Sequence, residues 1–303
     1  MDTFADRLCE AITSKRAPCV VGLDPRIEDI PDDFVRACGL SREDGVEACA
    51  RLVEAYCALT IEAVHDLVPA LKPQMAYFER FGSYGMRALE NCIDMARSLG
   101  LLVLLDGKRG DIGSTSEAYA EAYLARVPRR SFEVDAMTLN PYLGRDSLEP
   151  FVRVAQANQK GLFVCVRTSN PGADVVQTFR GGDGTRLYEV VADLVDELGG
   201  GAHGTSGFGD VGAVVGATQP EAAGRLRERL PSTLFLVPGF GAQGGSAEVV
   251  RACFDVQGRG AIVNSSRAIM FPHRFGERCH APTREGIRAA AREFVDAVRA
   301  VLP

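Results

Sequence analysis

A lysine between two aspartates follows an apolar run in the segment LLVLLDGKRGDIGST, residues 101–115. Asp106 and Lys108 are two residues apart, so in a β-strand their side chains point to the same face, and Asp111 falls in the turn that leaves the strand. An ammonium held between two carboxylates is suited to acid–base chemistry and to stabilising a developing negative charge. The same residues could instead form a surface ion pair worth about 0 to 1 kcal/mol. The spacing alone leaves both interpretations open.

Polar residues also end several of the other apolar runs. They are Asp24 in VGLDP, Lys72 in ALKPQ, Ser169 in RTSNPGA, Gln243 in VPGFGAQGG and Arg267 in IVNSSRA. A glycine-rich loop beside a guanidinium can hold a phosphate group, which favours that role for Gln243 and Arg267. Each residue alone has a plain structural explanation, such as a surface lysine or a serine in a turn. Their shared position at run ends is what favours a common site.

Eight short apolar runs supply the strands that would position these residues. They are residues 18–23, 67–72, 101–105, 132–139, 161–166, 211–217, 234–237 and 261–263. Continuous apolar runs without hairpin turns indicate a parallel sheet that is buried on both faces. We therefore predict a single (β/α)8 TIM barrel over residues 1–303, with an insertion near 26–39 and a long Gly-rich connection near 181–209. In this fold the carboxyl ends of the strands form one rim, where active sites lie.

Several helix starts have local signals. Capping-box spacing occurs at Ser41 with Asp44, Ser114 with Glu117 and Asp146 with Glu149. Pro220 is suited to a first helical position, and a last helix is predicted from about Thr283.

A doubly wound sheet is the alternative architecture. Two GxGxxG matches exist, at residues 199–204 and 207–212, but both precede a strand. A dinucleotide-binding glycine loop must follow a strand and open a helix. This alternative is therefore disfavoured, and we assign these glycines no phosphate role.

Composition limits the partners of the chain. A net charge of -6 argues against general binding to nucleic acids or anionic membranes. No apolar run reaches the ~18 residues of a spanning helix, and the acidic N-terminal segment lacks the pattern of a signal peptide. The nine cysteines form no CxxC pair, and the four histidines form no HExxH motif. We therefore expect a cytoplasmic protein with reduced cysteines and without a metal site.

Six segments that span nearly the whole chain resemble those of one family. They are VGLDP, LKPQMAYFE, LDGKRGDIGSTSEAYA, TSNPGA, VPGFGAQGG and NSSRAI, in this order. The family is orotidine 5'-phosphate decarboxylase, in its longer bacterial branch (type 2). The DxKxxD pattern alone occurs in other enzymes of the same barrel group, whereas DGKRGDIGST together with TSNPGA is more specific. The resemblance implies cofactor-free decarboxylation of orotidine 5'-monophosphate to uridine 5'-monophosphate, the last step of de novo pyrimidine synthesis.

The resemblance also implies a charged catalytic network. Its members would be Lys72, Asp106, Lys108 and Asp111. In this family the last aspartate enters the active site from the partner subunit, together with the residues that match Ile112 and Thr115. Asp24 and Lys72 match residues that bind one ribose hydroxyl, and Asp111 and Thr115 match those that reach the other. The expected assembly is therefore a homodimer with shared active sites.

The remaining matches imply contacts with the base and the phosphate. Ser169 matches the serine that binds the amide edge of the pyrimidine, and Gln243 and Arg267 match the phosphate-binding residues. One departure is Ser266, which stands where many shorter members have a glycine. Which backbone N–H meets the phosphate therefore stays open.

The implied reaction demands electrostatic catalysis. Loss of CO2 from C6 of the pyrimidine leaves an electron pair in the ring plane, where no π system delocalises it. An ammonium near C6 would stabilise this charge and then donate its proton, and we assign that role to Lys108.

Three other functions stay open at this point. Lys72 or Lys108 could form a Schiff base with a carbonyl, although flanking carboxylates favour the charged ammonium, which is not a nucleophile. A magnesium-dependent sugar-phosphate decarboxylase of the same barrel group is the second. The third is a non-catalytic barrel that binds a phosphorylated ligand.

Overall fold

The chain folds into a closed parallel barrel. A computed structural model describes residues 2–126, 132–199, 204–217, 220–240, 245–276 and 278–302. The strands are β1 (Cys19–Leu23), β2 (Ala70–Pro73), β3 (Leu102–Arg109), β4 (Ala136–Leu139), β5 (Gly161–Arg167), β6 (Gly209–Val215), β7 (Thr233–Pro238) and β8 (Ala261–Ser265). They pair in chain order, and β8 pairs in parallel with β1 to close the barrel. The (β/α)8 prediction is confirmed, and the doubly wound alternative is wrong.

Helices alternate with these strands around the barrel. They are α1 (Phe4–Lys15), α2 (Asp32–Ala37), α3 (Val46–Val64), α4 (Ala76–Glu79), α5 (Gly82–Ser98), α6 (Gly113–Leu124), α7 (Arg145–Asn158), α8 (Ala173–Gln177), α9 (Leu187–Gly199), α10 (Pro220–Arg229), α11 (Ala247–Cys253), α12 (Arg267–Met270), α13 (Pro272–Phe275) and α14 (Arg284–Val301). A 3-10 turn at Ile27–Asp29 and helix α2 lie in the stretch after β1 for which the sequence predicts an insertion. Among the described residues, no helix is both long and apolar enough to cross a membrane.

Two layers of apolar side chains explain why the strand sequences are continuously apolar. Val21 and Leu71 belong to the cluster between the sheet and the helices, whereas their neighbours Val20 and Ala70 belong to the cluster inside the barrel. All five residues of β1 are buried. Because neither face of such a strand meets water, the polar alternation of a half-exposed strand is absent.

Helix α1 closes the amino-terminal end of the barrel. Phe4 and Leu8 are fully buried in the inner cluster, and the Phe4 ring packs edge-on against Phe163 with a centroid distance of 6.1 Å. Asp210 at the start of β6 accepts the N–H of Ala5 at 2.8 Å and fixes the beginning of the helix. This apolar plug fills one end of the barrel.

Local helix signals are only partly reliable in this chain. Two predicted starts are confirmed, at Pro220 of α10 and at Thr283, the N-cap of α14. The three capping boxes are wrong: Ser41 and Asp44 lie in a turn before α3, and Ser114 and Asp146 lie inside the first turns of α6 and α7. Gly144, with φ of 94°, turns the chain into α7 without a side-chain cap, so the helix begins earlier than the spacing implies.

The predicted Gly-rich connection near 181–209 contains a helix. Leu187–Gly199 forms α9, which buries Tyr188, Ala192 and Val195. Their i, i+4, i+7 spacing marks one helix face, a signal that the many surrounding glycines obscure. Residues 200–203 lie outside the described part of the chain.

The packing of α1 predicts a large effect of a small change at Gly161. A Cβ on Gly161 would lie 2.1 Å from the Phe4 ring, so Gly161→Ala must displace the plug. We expect a loss of about 1–3 kcal/mol in the free energy of unfolding. Gly224→Ala is the matched control, since no described atom beyond its chain neighbours and the backbone of its own helix lies within 4 Å of that Cβ, and it should stabilise α10. Thermal unfolding of both variants is the measurement. Equal melting temperatures would contradict the tight packing of Phe4 against Gly161.

Candidate active site

One cavity at the carboxyl ends of the strands collects most of the predicted site residues. Its volume is about 930 Å³. The predicted residues that line it are Asp24, Lys72, Asp106, Lys108, Ser169 and Arg267. They lie at or just beyond the ends of β1, β2, β3, β5 and β8. The barrel therefore brings side chains that are far apart in the sequence to one rim.

Asp106 lies at the centre of a charged cluster in this cavity. The Lys72 Nζ donates to Asp106 Oδ2 at 2.6 Å, and the Lys108 Nζ donates to Asp106 Oδ1 at 2.5 Å. Thr138 of β4 adds a third donor, with its Oγ1 at 2.9 Å from Asp106 Oδ1. Three hydrogen bonds from three consecutive strands therefore fix one carboxylate.

The charges of Asp106 and Lys72 stabilise one another. Burial alone would raise the pKa of Asp106, but the ammonium groups of Lys72 and Lys108 outweigh it and hold this pKa below its usual value. Burial also opposes the charge of Lys72, yet the carboxylates of Asp106 and Asp24 raise the Lys72 pKa. Both groups are therefore charged at neutral pH.

The backbone of β3 leaves the regular strand geometry at Lys108. Its φ is 44°, which is uncommon for a residue other than glycine, and the pairing of β3 with β4 shifts register between Leu105 and Arg109. The Lys108 N–H donates to Thr138 Oγ1 at 3.0 Å, which holds this conformation. Regular strand alternation is therefore not what places Lys108 beside Asp106, because the backbone departs from strand geometry at Lys108 itself.

Thr138 is a site residue that the sequence analysis missed. Its hydroxyl joins the Lys108 backbone to the Asp106 carboxylate, and its side chain lines the cavity. The available signal was a single polar residue within the buried run AMTL of β4. A hydroxyl in such a run needs a hydrogen-bond partner, and this need indicates a polar group near the end of the strand.

Asp24 is a second buried carboxylate in the cavity. Burial raises its pKa, the Lys72 ammonium acts against this rise, and the charge of Asp106 adds to it. Its Oδ1 has no hydrogen-bond partner among the described residues. A buried carboxylate oxygen in this state is costly, and a hydroxyl group of a ligand would satisfy it.

Ser266 packs tightly against β1, close to Asp24. The Ser266 hydroxyl lies near enough to act against the rise in the Asp24 pKa, and Asn264 donates to Ser266 Oγ at 3.4 Å. A Cβ on Gly22 would lie 1.9 Å from Ser266 Oγ, so the glycine makes room for this serine. The sequence shows Ser266 only as a departure from a family pattern, since its close packing against Gly22 joins opposite ends of the chain.

Three other predicted site residues lie outside this cavity. Asp111, Ile112 and Thr115 follow β3 and do not line the cavity of their own chain; Asp111 accepts the N–H of Ile112 at 2.8 Å, and Ile112 is 56% exposed. Gln243 lies outside the described residues. The neighbouring residues Pro238, Gly239 and Phe240 line the cavity beside Arg267.

Comparisons with known proteins agree with this architecture. The chain matches the family model described as orotidine 5'-phosphate decarboxylase / HUMPS family over residues 18–271. The orotidine 5'-phosphate decarboxylase of Rhodopirellula baltica is 48% identical over 304 residues, covering 99% of this chain and 96% of the relative. That of Caldicellulosiruptor bescii is 42% identical over 279 residues, covering 90% of this chain and 91% of the relative.

A solved structure gives the same result in three dimensions. The Leishmania donovani OMP decarboxylase superposes with a TM-score of 0.75 at 34% identity, covering 99% of this chain and 98% of that one. The family match extends from the residue before β1 to the residue after α12, and so includes every strand end that supplies the cavity. The chain belongs to the orotidine 5'-phosphate decarboxylase / HUMPS family.

Proposed function

We propose that this protein decarboxylates orotidine 5'-monophosphate to uridine 5'-monophosphate, without a cofactor or metal ion, as the last step of de novo pyrimidine synthesis in the cytoplasm. The observation that carries the proposal is the cluster of Lys72, Asp106 and Lys108 in the cavity of a chain of this family. The curated relatives at 48% and 42% identity are named orotidine 5'-phosphate decarboxylase.

The two lysines differ in exposure, which supports different roles for them. The Lys72 side chain is 5% exposed, whereas that of Lys108 is 47% exposed and can approach a ligand. When the C6–carboxylate bond breaks, CO2 leaves and the electron pair stays on C6. The Lys108 ammonium stabilises that pair and donates a proton to form the C6–H bond, and the resulting amine takes a proton back from solvent.

Asp106 serves this reaction in two ways. It holds both ammonium groups in place, and it stands close to where the substrate carboxylate would lie. Two unit charges ~4 Å apart at an effective dielectric constant of 20 repel by about 4 kcal/mol, and this repulsion disappears when neutral CO2 leaves. Enzymes lower barriers by ~8 to 23 kcal/mol, so fixed charge around C6 and the binding of the remote groups must supply the rest.

The remaining cavity residues are suited to binding the rest of the substrate. Asp24 has an unsatisfied buried oxygen and, with Lys72, would accept and donate hydrogen bonds to a ribose hydroxyl. Ser169 would bind the amide edge of the pyrimidine. Arg267, together with Gln243, would hold the phosphate through charge-assisted hydrogen bonds.

The segment after β3 supports a shared active site. Asp111, Ile112 and Thr115 do not line the cavity of their own chain, and Ile112 exposes an apolar side chain. In a homodimer these residues would complete the partner's cavity, with Asp111 and Thr115 near the second ribose hydroxyl. Lys108 and Asp111 of one chain would then serve two different sites.

The direct test is an ultraviolet absorbance assay with orotidine 5'-monophosphate in the presence of EDTA. We expect conversion to uridine 5'-monophosphate by the wild type. Lys108→Ala should fold and still bind uridine 5'-monophosphate, but its kcat should fall by at least about 10⁴-fold, because both the cation and the proton donor are lost. No conversion by folded wild-type protein, or near-normal turnover by Lys108→Ala, would contradict the proposal. Loss of activity in EDTA would favour a magnesium-dependent enzyme, and borohydride trapping with a keto sugar phosphate would favour a Schiff-base enzyme.

The shared site is tested by mixing two inactive variants. Lys108→Ala and Asp111→Ala each damage every site of their own homodimer. A mixed dimer carries both lesions in one site and none in the other, so an equimolar mixture should recover about one quarter of the wild-type activity. Mixing two separate preparations of Lys108→Ala is the control. Subunits with different tags show that mixed dimers form. Complete inactivity of these mixed dimers would disprove the shared site.

The buried ion pair predicts how stability depends on pH. Lys72→Met removes one partner of Asp106 and should lower the free energy of unfolding by about 3 kcal/mol at pH 7. The pKa of Asp106 is lowered on folding, so its stabilisation is complete above the unfolded pKa of ~3.9 and is lost as pH falls through the folded value. The Lys72 contribution is complete below ~10.4 and is lost only above that pH. The difference in the free energy of unfolding between the wild type and Lys72→Met should therefore be constant between about pH 5 and 10 and shrink below about pH 4.

Thermal and urea unfolding across this pH range are the measurements. Arg36→Met is the matched control, because the Arg36–Asp33 pair is exposed and should contribute less than about 1 kcal/mol. Equal stabilities of the Lys72→Met and Arg36→Met variants at pH 7 would show that the buried pair does not stabilise the barrel.

A further inference from the structure

A buried arginine anchors the loop that carries Ser169. Arg167 ends β5 two residues earlier, and its side chain is 5% exposed. Its guanidinium pairs with Asp174 of α8, donates to Gln177 Oε1 at 3.0 Å and reaches the carbonyl of Thr168 at 3.4 Å. One side chain therefore ties the strand end both to the loop and to the short helix that follows it.

Gln177 binds the residue before Ser169 at two points. Its Oε1 accepts the Thr168 N–H at 2.9 Å, and its Nε2 donates to Thr168 Oγ1 at 2.8 Å. Thr168 Oγ1 donates in turn to Asn170 Oδ1 at 2.7 Å. The residues on both sides of Ser169 are thus held by one chain of hydrogen bonds that begins at Gln177.

The end of β6 supports the loop from the other side. A Cβ on Gly216 would lie 2.7 Å from the backbone nitrogen of Ser169 and 2.9 Å from its Cβ. The N–H of Gly216 donates to the carbonyl of Arg167 at 2.7 Å. The backbone of Ser169 therefore packs directly against Gly216, and the hydrogen bonds of Gln177 hold the preceding residue, Thr168.

We propose that Gln177, anchored by Arg167, is a positioning residue that sets where the Ser169 hydroxyl lies and so determines how tightly the cavity holds the pyrimidine base. The inference rests on the proposed function, in which Ser169 binds the base. Gln177 lines the cavity, but both polar ends of its side chain are engaged by Thr168 and Arg167. It therefore acts on the ligand through the loop.

The physical reason is pre-organisation. A loop of small polar residues has many conformations of similar energy, and ordering it when a ligand binds reduces affinity. The network orders the loop before binding, so the hydrogen bond from Ser169 to the base is gained without that cost. Loss of the network should therefore weaken contacts with the base and leave contacts with ribose and phosphate unchanged.

The test compares a ligand that has the base with one that lacks it. Uridine 5'-monophosphate contains the base, and ribose 5-phosphate does not. Gln177→Met keeps the length of the side chain and removes its hydrogen bonds, so the dissociation constant for uridine 5'-monophosphate should rise about tenfold. That for ribose 5-phosphate should change by less than about twofold, as measured by calorimetric titration. Gln177→Glu keeps an oxygen that accepts from Thr168 and Arg167, and it should restore affinity to within about threefold of wild type.

A double-variant cycle shows whether Gln177 acts through Ser169. In a Ser169→Ala background, Gln177→Met should weaken the binding of uridine 5'-monophosphate by less than about a further twofold. Val175→Ala, at an 82% exposed position of the same helix, is the control and should bind both ligands like the wild type. If Gln177→Met does not fold, Thr168→Val is the substitute, because it removes the hydroxyl link between Gln177 and Asn170. It should also raise the dissociation constant for uridine 5'-monophosphate and leave that for ribose 5-phosphate nearly unchanged.

The outcomes separate this inference from the function on which it rests. Equal weakening of both ligands, or a full tenfold loss in the Ser169→Ala background, overturns the positioning role while the wild type still converts orotidine 5'-monophosphate. No conversion by the wild type overturns the proposed function and this inference together.

Discussion

The open end of the barrel depends on the burial of one carboxylate, that of Asp106. A carboxylate removed from water without partners is strongly unfavourable and would bind a proton instead. Lys72 from β2, Lys108 from the end of β3 and Thr138 from β4 meet it at distances of 2.5–2.9 Å, so it keeps its charge. These strands are neighbours in the closed sheet, and each of them contributes at the same end. The parallel order of the barrel is therefore a condition for the charged cluster.

The two ends of the barrel divide stability and chemistry between them. At the amino-terminal end, Phe4 and Leu8 of α1 complete an apolar core with the inward-facing strand residues. Burial of apolar surface there, and between sheet and helices, supplies the favourable free energy of folding. The carboxyl end can then hold a buried polar atom without a hydrogen-bond partner, such as Asp24 Oδ1. A polar cavity of this kind is tolerable because the rest of the barrel is closely packed.

The sequence predicts the strands and their order well, because a parallel strand buried on both faces has a continuous apolar run that is visible locally. It also predicts which strand ends carry Asp24, Lys72 and Ser169, since a residue that follows an apolar run must lie at the rim. It predicts neither the packing of Ser266 against Gly22 nor the Gln177–Thr168 bonds, because each depends on how loops fold against other strand ends. Capping-box spacing fails for the same kind of reason: the turn before each helix, and not the spacing, decides where the helix begins.

Lys72 and Lys108 show how one carboxylate can hold two like side chains in different environments. Lys72 approaches Asp106 from a regular strand and is buried, so its ammonium has little freedom to move. The backbone of Lys108 has a φ of 44°, a conformation that costs free energy for any residue with a Cβ. It persists here because the Lys108 N–H donates to Thr138 Oγ1. That backbone turn leaves the Lys108 side chain half exposed to the cavity while its ammonium still contacts Asp106. Both lysines therefore bind the same carboxylate and line the same cavity, Lys72 as a buried group and Lys108 as a half-exposed one.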